Sequence, residues 1–386
     1  MRAADEIGAG TTRRALPGCV DFDSVLAEIS EGATERDLGK PAFPEGPFRA
    51  LATAGLLALP IPERLHTSGR RASFAEEWRV LRAVAKADGS VGRIFDGHLN
   101  AVERLTVAAP EPLRTKELEA IVAGELLLGV WGADPVPPRE GPPARLVETE
   151  NGPVLEGVKT FCSGSTGLDR AVVTVRSPTE AGGAPGPPLL AYVDLGDGVE
   201  VDRSWFRGSG MRSSESHRIV FRGARVLAVL GGPGELVREP YFARDAIRTA
   251  ASWAGIADLA LDAALTTLAA KSAGKEPDDI VSLAAGKMLA AQATLDRWLE
   301  HAAHEADGDT EASLAHLSTP LRVAVAQSCR EILDEAARAC GSRPFAIADP
   351  LDRARRDLEL FLLQHRLEPA LVRSGRGAIT EHRSRS

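Results

Sequence analysis

The spacing of apolar residues changes twice along this chain, and this change limits the possible folds more than any other feature. In the first third, apolar residues recur at three- and four-residue steps, which predicts amphipathic helices. These runs are Phe22 to Ile29, Phe48 to Leu57, Phe74 to Ala87 and Val91 to Leu105. From about Gly129 onward, short strand-like runs separated by turns predict an antiparallel β-domain. They are Val154 to Phe161, Ala171 to Val175, Leu189 to Val193 and Ile219 to Phe221.

The helical spacing returns at Tyr241 and continues through three long segments. A fourth helix has a well-formed start, with Asp349 as the expected N-cap and Pro350 at the first helical position. Four long helices with short connections predict an antiparallel bundle, so the expected fold class is α+β. The chain then divides into a flexible tail (1–18), an N-terminal helical domain (19–124), a middle antiparallel β-domain (125–235), a C-terminal four-helix bundle (236–373) and a second flexible tail (374–386). Within the β-domain, the Gly- and Pro-rich segment Ser177 to Pro188 is expected to form a surface loop.

Charge and cysteine content argue against several classes of protein. The 46 basic and 54 acidic side chains give a formal charge of −8, which argues against a nucleic-acid-binding protein. Because no apolar run approaches the roughly 20 residues that cross a bilayer, and the N-terminus lacks an apolar signal segment, we expect a cytoplasmic protein without membrane contact. The four cysteines are too few for a disulfide framework in so long a chain. They also lack CxxC spacing, so no metal site is indicated.

Three motifs in a fixed order carry a resemblance to a known family. They are Gly157 to Gly164 (GVKTFCSG), Gly210 to Ser216 (GMRSSES), and Ala339 to Ser342 followed by Pro350 to Asp357. In this order and spacing, they resemble the strand, turn and helix motifs of the acyl-CoA dehydrogenase superfamily. The resemblance implies a flavoprotein oxidoreductase with that family's helix–sheet–helix architecture.

A flavin ring needs a flat apolar wall and a hydrogen-bond donor near N5, the atom that accepts hydride. Phe161 and Trp131 are the candidates for the wall, and Ser163 resembles the hydroxyl that reaches N5 in the family. Lys271 stands where the family has an arginine for the FAD pyrophosphate, and a lysine offers no bidentate fork. FAD is therefore the expected cofactor, with FMN or a reduced flavin supplied by a reductase as the alternative. The resemblance assigns flavin binding to Trp131, Gly132, Ala133, Phe161, Cys162, Ser163, Arg212, Lys271, Gly341 and Ser342.

The position of the catalytic glutamate in the dehydrogenases is occupied here by His365. Asp245 lies near the position at which a subset of the family keeps its base, so it is an alternative base if burial raises its pKa. Flavin monooxygenases of the same fold, such as those that oxidise dibenzothiophene, lack the glutamate. Resemblance to that branch implies that His98, Ser163 and His365 converge on one pocket, where they supply hydrogen bonds and a proton. For each histidine, a buried ring satisfied by backbone partners is the structural alternative.

Three functions are consistent with these residues and with the resemblance. The first is a two-component monooxygenase that takes reduced flavin from a partner reductase and oxygenates a small organic molecule. The second is an FAD-dependent dehydrogenase that forms a 2,3-double bond in an acyl-CoA or carrier-bound acyl group. The third is a non-catalytic subunit that binds a flavin or an acyl group. The resemblance also implies assembly as a homodimer or homotetramer.

Overall fold

The computed structural model describes residues 21–62, 71–176, 186–272, 274–310, 312–364 and 366–385. The expected tail at 1–18 therefore lies outside the described residues, as does most of the loop expected at Ser177 to Pro188. Pro188 itself begins a strand.

The N-terminal part is helical, as the sequence predicts. Its helices are α1 (Phe22–Ser30), α2 (Ala33–Leu38), α3 (Glu45–Thr53), α4 (Phe74–Ala87), α5 (Gly89–Ala108) and α6 (Leu113–Val122). Ser73 and Glu76 form a capping box at the start of α4. Asp88 ends α4 and also caps α5, with its carboxylate accepting from the N–H groups of Ser90 and Val91. The break that the sequence shows at Asp88 is thus a sharp junction between two helices.

The middle part is one seven-stranded sheet. Its strands are β1 (Leu128–Trp131), β2 (Arg145–Thr149), β3 (Gly152–Cys162), β4 (Arg170–Arg176), β5 (Pro188–Asp194), β6 (Val199–Asp202) and β7 (His217–Leu230). The strand order is β1-β4-β5-β7-β3-β2, with β6 paired to β7.

The β-domain is antiparallel, as expected, except at one edge of this sheet. β1 pairs with β4 in parallel, whereas the other described strand pairs are antiparallel. The physical reason is the long connection between these two strands. It passes through the β2–β3 hairpin at the opposite edge, and so brings β4 back in the same direction as β1.

The C-terminal part contains the four predicted long helices. They are α7 (Tyr241–Ser272), α8 (Asp279–Gly308), α9 (Ala315–Cys340) and α11 (Pro350–Phe361), and the short α10 (Arg343–Ala346) precedes α11. Asp349 caps α11 by accepting from the N–H of Leu351 at 2.8 Å, as its sequence position predicts. The segment Glu235–Ser272 is long and apolar enough to cross a membrane. However, 56% of its most apolar window is buried inside the protein, as in the core helix of a bundle.

The structure gives helical backbone at residues 374–385, within the segment predicted to be a flexible tail. Through residue 385 this segment belongs to α12 (Glu368–Arg385), a helix without a buried residue. The sequence predicts a frayed, solvated tail because this end is basic, with Arg373, Arg376, Arg383 and Arg385. The backbone is nevertheless helical, with every described side chain left exposed or partly exposed.

Close helix crossings bring α4, α5 and α7 together beside the sheet. A Cβ on Gly255 of α7 would lie 2.1 Å from the carbonyl oxygen of Arg82 on α4. A Cβ on Gly92 of α5 would lie 2.5 Å from the Cβ of Ala85. Because larger residues would force these helices apart, the two glycines fix the spacing of the helical layer that faces the β-domain.

Candidate active site

A cavity of about 660 Å³ lies between the β-domain and the helices. α5 lines it with Arg93, Asp96, Gly97 and Asn100. α7 lines it with Phe242, Asp245, Ala246 and Thr249. Both sets follow the spacing of one helical face, so each helix turns a single stripe of side chains toward the cavity. The opposite wall is formed mainly by Val130, Gly132, Ala133, Phe161, Ser163, Met211, Ser214 and Ser216.

The segment Gly132–Asp134 of the β-domain wall is fixed by β3. The buried Lys159 ammonium donates to the Asp134 carboxylate at 2.6 Å and to the Gly132 carbonyl at 3.2 Å. The backbone N–H of Thr160 donates to the Ala133 carbonyl at 3.1 Å. Gly132 and Ala133 carry little or no side chain, so they present a shallow, rigid surface to the cavity.

Phe161 presents an apolar ring to the cavity from a strained backbone. Its φ is +52°, and its side chain is 53% exposed, which is unusual for so large an apolar group. The ring packs edge-on against Trp205, with centroids 4.8 Å apart and planes at 85°. The other non-glycine residues with positive φ in the described chain are Met211 and Glu215. Met211 also lines the cavity, and Glu215 lies between the lining residues Ser214 and Ser216. Such strain costs about 1–3 kcal/mol per residue and tends to occur at functional sites.

Three serine hydroxyls form a hydrogen-bonded chain along the cavity wall. Ser163 Oγ lies 2.9 Å from Ser216 Oγ, which lies 2.7 Å from Ser214 Oγ. Ser214 donates its hydroxyl hydrogen to the Met211 carbonyl at 2.7 Å. Because each hydroxyl has one hydrogen, Ser216 must donate to Ser214, and Ser163 must donate to Ser216. The Ser163 oxygen is therefore left with free lone pairs, and it acts as an acceptor toward the cavity. This corrects the prediction that Ser163 supplies a hydrogen-bond donor there.

Two residues predicted to line the flavin site do not line this cavity. Trp131 is almost fully buried, and its indole N–H donates to the backbone carbonyl of Ser163 at 3.0 Å. The Cys162 side chain is buried on the other side of the strand, and burial raises the pKa of its thiol. The alternation of side chains along a strand accounts for both positions, since neighbours of lining residues point away from the cavity. Trp131 fixes the backbone of Ser163 and does not form a wall.

The structure also corrects the catalytic prediction for His98. Its ring is fully buried, with Nε2 at 3.0 Å from the Leu57 carbonyl and Nδ1 accepting from the N–H of Leu128 at 3.1 Å. This pairing requires a neutral ring with its hydrogen on Nε2. Burial lowers the pKa of His98 to about 4, although the bond to Leu57 opposes the shift. With both nitrogens used by the backbone, His98 has no group to offer a substrate.

Asp245 lies in the cavity wall, and a buried arginine network holds it. Its Oδ2 accepts from Arg104 at 2.6 Å, and its Oδ1 lies 3.5 Å from Arg248. Oδ1 is covered from solvent and has no hydrogen-bond partner among the residues that the structure describes. Burial raises the pKa of Asp245 to about 6, partly offset by Arg104 and Arg248.

Arg248 is the centre of this network, behind the helical wall. It is fully buried and donates to Glu77 at 2.6 Å, to Glu103 at 2.7 Å and to Asn100 at 2.8 Å. Although burial alone would raise the pKa of Glu103, the surrounding arginines lower it to about 2. Glu103 is therefore ionised at neutral pH, and the network ties α4, α5 and α7 together by charge.

Asp96 and Arg322 are cavity residues that the sequence reasoning missed. Asp96 accepts from Asn100 at 3.0 Å, from Thr249 at 3.2 Å and from Arg93 at 3.3 Å, and burial raises its pKa. Arg322 reaches the cavity from α9. A usable signal was present for Asp96, because α5 and α7 carry polar residues at helical spacing within otherwise apolar segments.

Four predicted flavin-binding residues do not line the cavity, namely Arg212, Lys271, Gly341 and Ser342. Arg212 donates to the Gly39 carbonyl at 3.0 Å, and Lys271 donates to the Cys340 carbonyl at 2.5 Å, beside Gly341 and Ser342. Lys271, Gly341 and Ser342 thus lie together at one end of the bundle. His365 lies outside the described residues, so its predicted role stays a prediction.

Asp357 connects the cavity turn to the bundle. Its Oδ1 accepts from the N–H of Met211 at 2.5 Å, and a Cβ on Gly210 would lie 2.0 Å from the Arg356 carbonyl oxygen. Burial raises the pKa of Asp357 to about 7, although the bond from Met211 opposes the shift. The turn that carries Met211, Ser214 and Ser216 is thus held directly against α11.

Comparison with known proteins supports the architecture. Residues 23–125 match the family model described as acyl-CoA dehydrogenase, N-terminal domain. A curated dibenzothiophene monooxygenase from Rhodococcus erythropolis is 30% identical over 200 residues, which cover 48% of this chain and 45% of that protein. The matched region thus spans less than half the length of this relative.

Solved structures match over nearly the whole chain. FMN-bound TdsC from Paenibacillus sp. A11-2 has a TM-score of 0.81 at 20% identity, covering 93% of this chain and 96% of that chain. A complex of TdsC with FMN and indole has a TM-score of 0.80 at 20% identity and the same coverage. Methanesulfinate monooxygenase MsuC from Pseudomonas fluorescens has a TM-score of 0.78 at 23% identity, again covering 93% and 96%. The predicted helix–sheet–helix fold is confirmed by these structures. The family-model match confirms the resemblance to acyl-CoA dehydrogenases over residues 23–125.

Proposed function

We propose that this chain, which has the acyl-CoA dehydrogenase-like fold, is a flavin-dependent monooxygenase that acts on a small organic molecule. It would receive reduced FMN from a partner reductase. The partly matching relative is a dibenzothiophene monooxygenase, and the neighbour TdsC binds FMN, which supports FMN over FAD. We further propose a cytoplasmic homodimer or homotetramer. The exposed apolar side chains Ile280, Leu283 and Leu289 of α8 support an assembly face on the bundle.

The observation that supports this proposal most is the direction of the hydrogen bonds between the three serine hydroxyls. An oxidised flavin has a lone pair at N5, whereas a reduced flavin has a hydrogen there. Ser163 gives its own hydrogen to Ser216, so it offers an acceptor to the cavity. An acceptor complements the N–H of a reduced flavin, which is the form that a reductase delivers.

The β-domain wall fits a flat, partly polar ring. The exposed ring of Phe161 would pack against the flavin, and the rigid Gly132–Ala133 segment leaves room for close approach. Ser163 would hold the N5 edge of the flavin. When bound, the reduced flavin supplies the electrons for oxygen activation. The protein positions it and excludes water with the surrounding phenylalanines, which are Phe161, Phe206, Phe242 and Phe361.

His365 remains our proposed proton donor, on sequence grounds alone. Replacing it by alanine should abolish oxygenation while leaving the affinity for FMN within a few-fold of wild type. Unchanged oxygenation by this variant would remove His365 from the mechanism.

An acyl-group dehydrogenase is the second candidate, and one observation favours it. Asp245 lines the cavity with its pKa raised to about 6, a suitable value for a base. Against this, Oδ2 is bonded to Arg104 and Oδ1 is covered. The carboxylate would therefore have to leave Arg104 before it could take a proton from a substrate.

Oxygen labelling distinguishes the two functions. The purified protein is mixed with chemically reduced FMN and indole, exposed to ¹⁸O₂, and the products are analysed by mass spectrometry. We expect one labelled oxygen atom in the product, and none when the protein is omitted. A protein that instead is bleached anaerobically by an acyl-CoA, without incorporating label, would be a dehydrogenase.

A further inference from the structure

Arg322 is a buried cation in the cavity wall without an acidic partner. Its side chain comes from α9 and is 4% exposed. Its Nε donates to the Ser318 carbonyl in its own helix at 3.2 Å, and its guanidinium lies over the Phe242 ring at 5.8 Å. Across the part of the chain that the structure describes, no carboxylate lies within ion-pair distance of Arg322.

The other arginines around the cavity differ from Arg322 in this respect. Arg93 is paired with Asp96, Arg104 with Asp245 and Arg248 with Glu77. The two carboxylates of the cavity wall are thus already neutralised by guanidinium groups. The uncompensated charge of the described cavity wall is the positive charge of Arg322.

An isolated buried charge is costly unless a partner compensates it. Burial lowers the pKa of Arg322, as expected for a cation without a counter-charge. The Nη atoms make no hydrogen bond within the described residues, so the planar fork is free to bind an oxyanion in bidentate fashion. A ligand that enters the cavity is then the natural source of the missing negative charge.

We propose that Arg322 forms an anion-binding subsite, so that the substrate has a carboxylate-like group attached to an apolar, planar body. The body is inferred from the phenylalanine rings that line the cavity, which favour stacking of flat apolar groups. This inference rests on the proposed function only in calling the bound molecule a substrate. Whether the subsite binds an anion can be tested by ligand binding alone, without oxygenation.

The flavin phosphate is another possible source of the same negative charge. Comparing FMN with riboflavin, which lacks the phosphate, separates this source from a substrate anion. If Arg322 served the flavin, its removal would weaken FMN binding and leave riboflavin binding unchanged.

Calorimetric titration tests the subsite without reductant or turnover. The probes are indole-3-acetate and its neutral analogue indole-3-acetamide, which share one planar body. Wild type should bind the acid about tenfold more tightly or better, as expected for a charge-assisted pair. Arg322→Met should erase this preference, and Arg322→Lys should keep part of it, because the charge remains without the fork.

Arg330→Met is the matched control. Arg330 lies exposed on the same helix and does not line the cavity, so its loss changes the net charge equally and should leave the acid preference intact. Arg322→Lys also covers the case in which Arg322→Met fails to fold.

The outcomes separate the subsite from the oxygenation chemistry. Equal binding of the two probes by wild type would overturn the subsite, as would an acid preference that survives in Arg322→Met. Loss of FMN binding alone, with riboflavin unaffected, would overturn it in favour of the flavin phosphate. If the acid preference depends on Arg322 but neither indole nor indole-3-acetate incorporates oxygen label with reduced FMN, the subsite stands and the proposed function fails.

Discussion

At the residue scale, hydrogen-bond direction separates catalytic candidates from structural residues. Ser163 offers lone pairs to the cavity because its hydrogen is used by Ser216. His98 offers nothing, because the backbone of Leu57 and Leu128 takes both of its nitrogens. Ser163 is therefore a candidate for ligand binding and His98 is a structural residue. In both cases the role is set by hydrogen-bond partners that are distant in the sequence.

Replacing His98 by alanine should affect stability far more than catalysis. The change leaves two buried backbone groups unpaired, so we expect a loss of about 2–5 kcal/mol in the free energy of unfolding at pH 7. Denaturant unfolding and the rate of oxygenation would both be measured, with the rate in the folded variant expected to stay within a few-fold. A large loss of rate with unchanged stability would restore a catalytic role for His98.

The pH dependence of stability gives a second readout for the same residue. The folded pKa of His98 is lowered from 6.5 to about 4, so the unfolded chain binds the proton first as pH falls. The neutral His98 ring therefore contributes to the free energy of unfolding above pH 6.5, and this contribution is lost as the pH falls from about 6.5 to 4. The loss amounts to about 3 kcal/mol. His98→Ala should lack this loss, and an identical pH slope in both proteins would contradict the assignment.

What the sequence could predict at this scale depended on the range of the interaction. The Asp349 cap and the strand around Phe161 are local features, and both are found where the sequence places them. Trp131 and His98 were misassigned because their partners are set by tertiary contacts. Arg322 was missed because an arginine in an amphipathic helix gives no sign that its neighbours lack acids.

At the element scale, the turn before β7 connects the two walls of the cavity. It carries Met211, Ser214 and Ser216, and it is held against α11 by Asp357 and by the close approach of Gly210. Periodicity cannot reveal such a contact, just as it could not reveal that β1 pairs in parallel with β4. The domain boundaries that we draw from periodicity remain proposals.

Gly210→Ala should displace this turn. The new Cβ would lie 2.0 Å from the Arg356 carbonyl oxygen, so we expect a loss of about 1–3 kcal/mol in stability and weaker binding of reduced FMN. Thermal unfolding and anaerobic titration would measure the two effects.

Gly286→Ala is the matched control for this change. Gly286 lies in α8 with no atom within 4 Å of its added Cβ, so alanine should stabilise the helix by about 0.5–1 kcal/mol. Equal stability of the two variants would show that the close packing of Gly210 against α11 does not stabilise the fold.

At the scale of the whole molecule, a buried charge network supports the helical wall. Arg248 joins Glu77 of α4 and Glu103 of α5 to its own helix α7. The order of the three layers followed from the sequence, because apolar spacing reports secondary structure. The cavity between them did not, because it depends on how the layers face each other.

Replacing Arg248 by methionine should weaken the whole fold. The buried Glu77 would lose the arginine that it is bonded to, and Glu103 would lose one of several arginine partners. The expected cost is about 3–5 kcal/mol in the free energy of unfolding. Arg297→Met is the control, since Arg297 forms an exposed pair with Glu300 and should change stability by at most about 1 kcal/mol. Denaturant unfolding that gave similar losses for both variants would show that the buried network does not hold the helices together.

The central claim is that the cavity is built for a reduced flavin, and one comparison of affinities tests it most directly. Wild type and Ser216→Ala would be titrated anaerobically with reduced and with oxidised FMN, with the exposed-site variant Ser282→Ala as control. We predict that wild type and the control bind reduced FMN about fivefold more tightly or better, and that Ser216→Ala loses most of this preference, because Ser163 can then turn its hydrogen toward the cavity. Tighter binding of oxidised FMN by wild type, or an unchanged preference in Ser216→Ala, would contradict the claim.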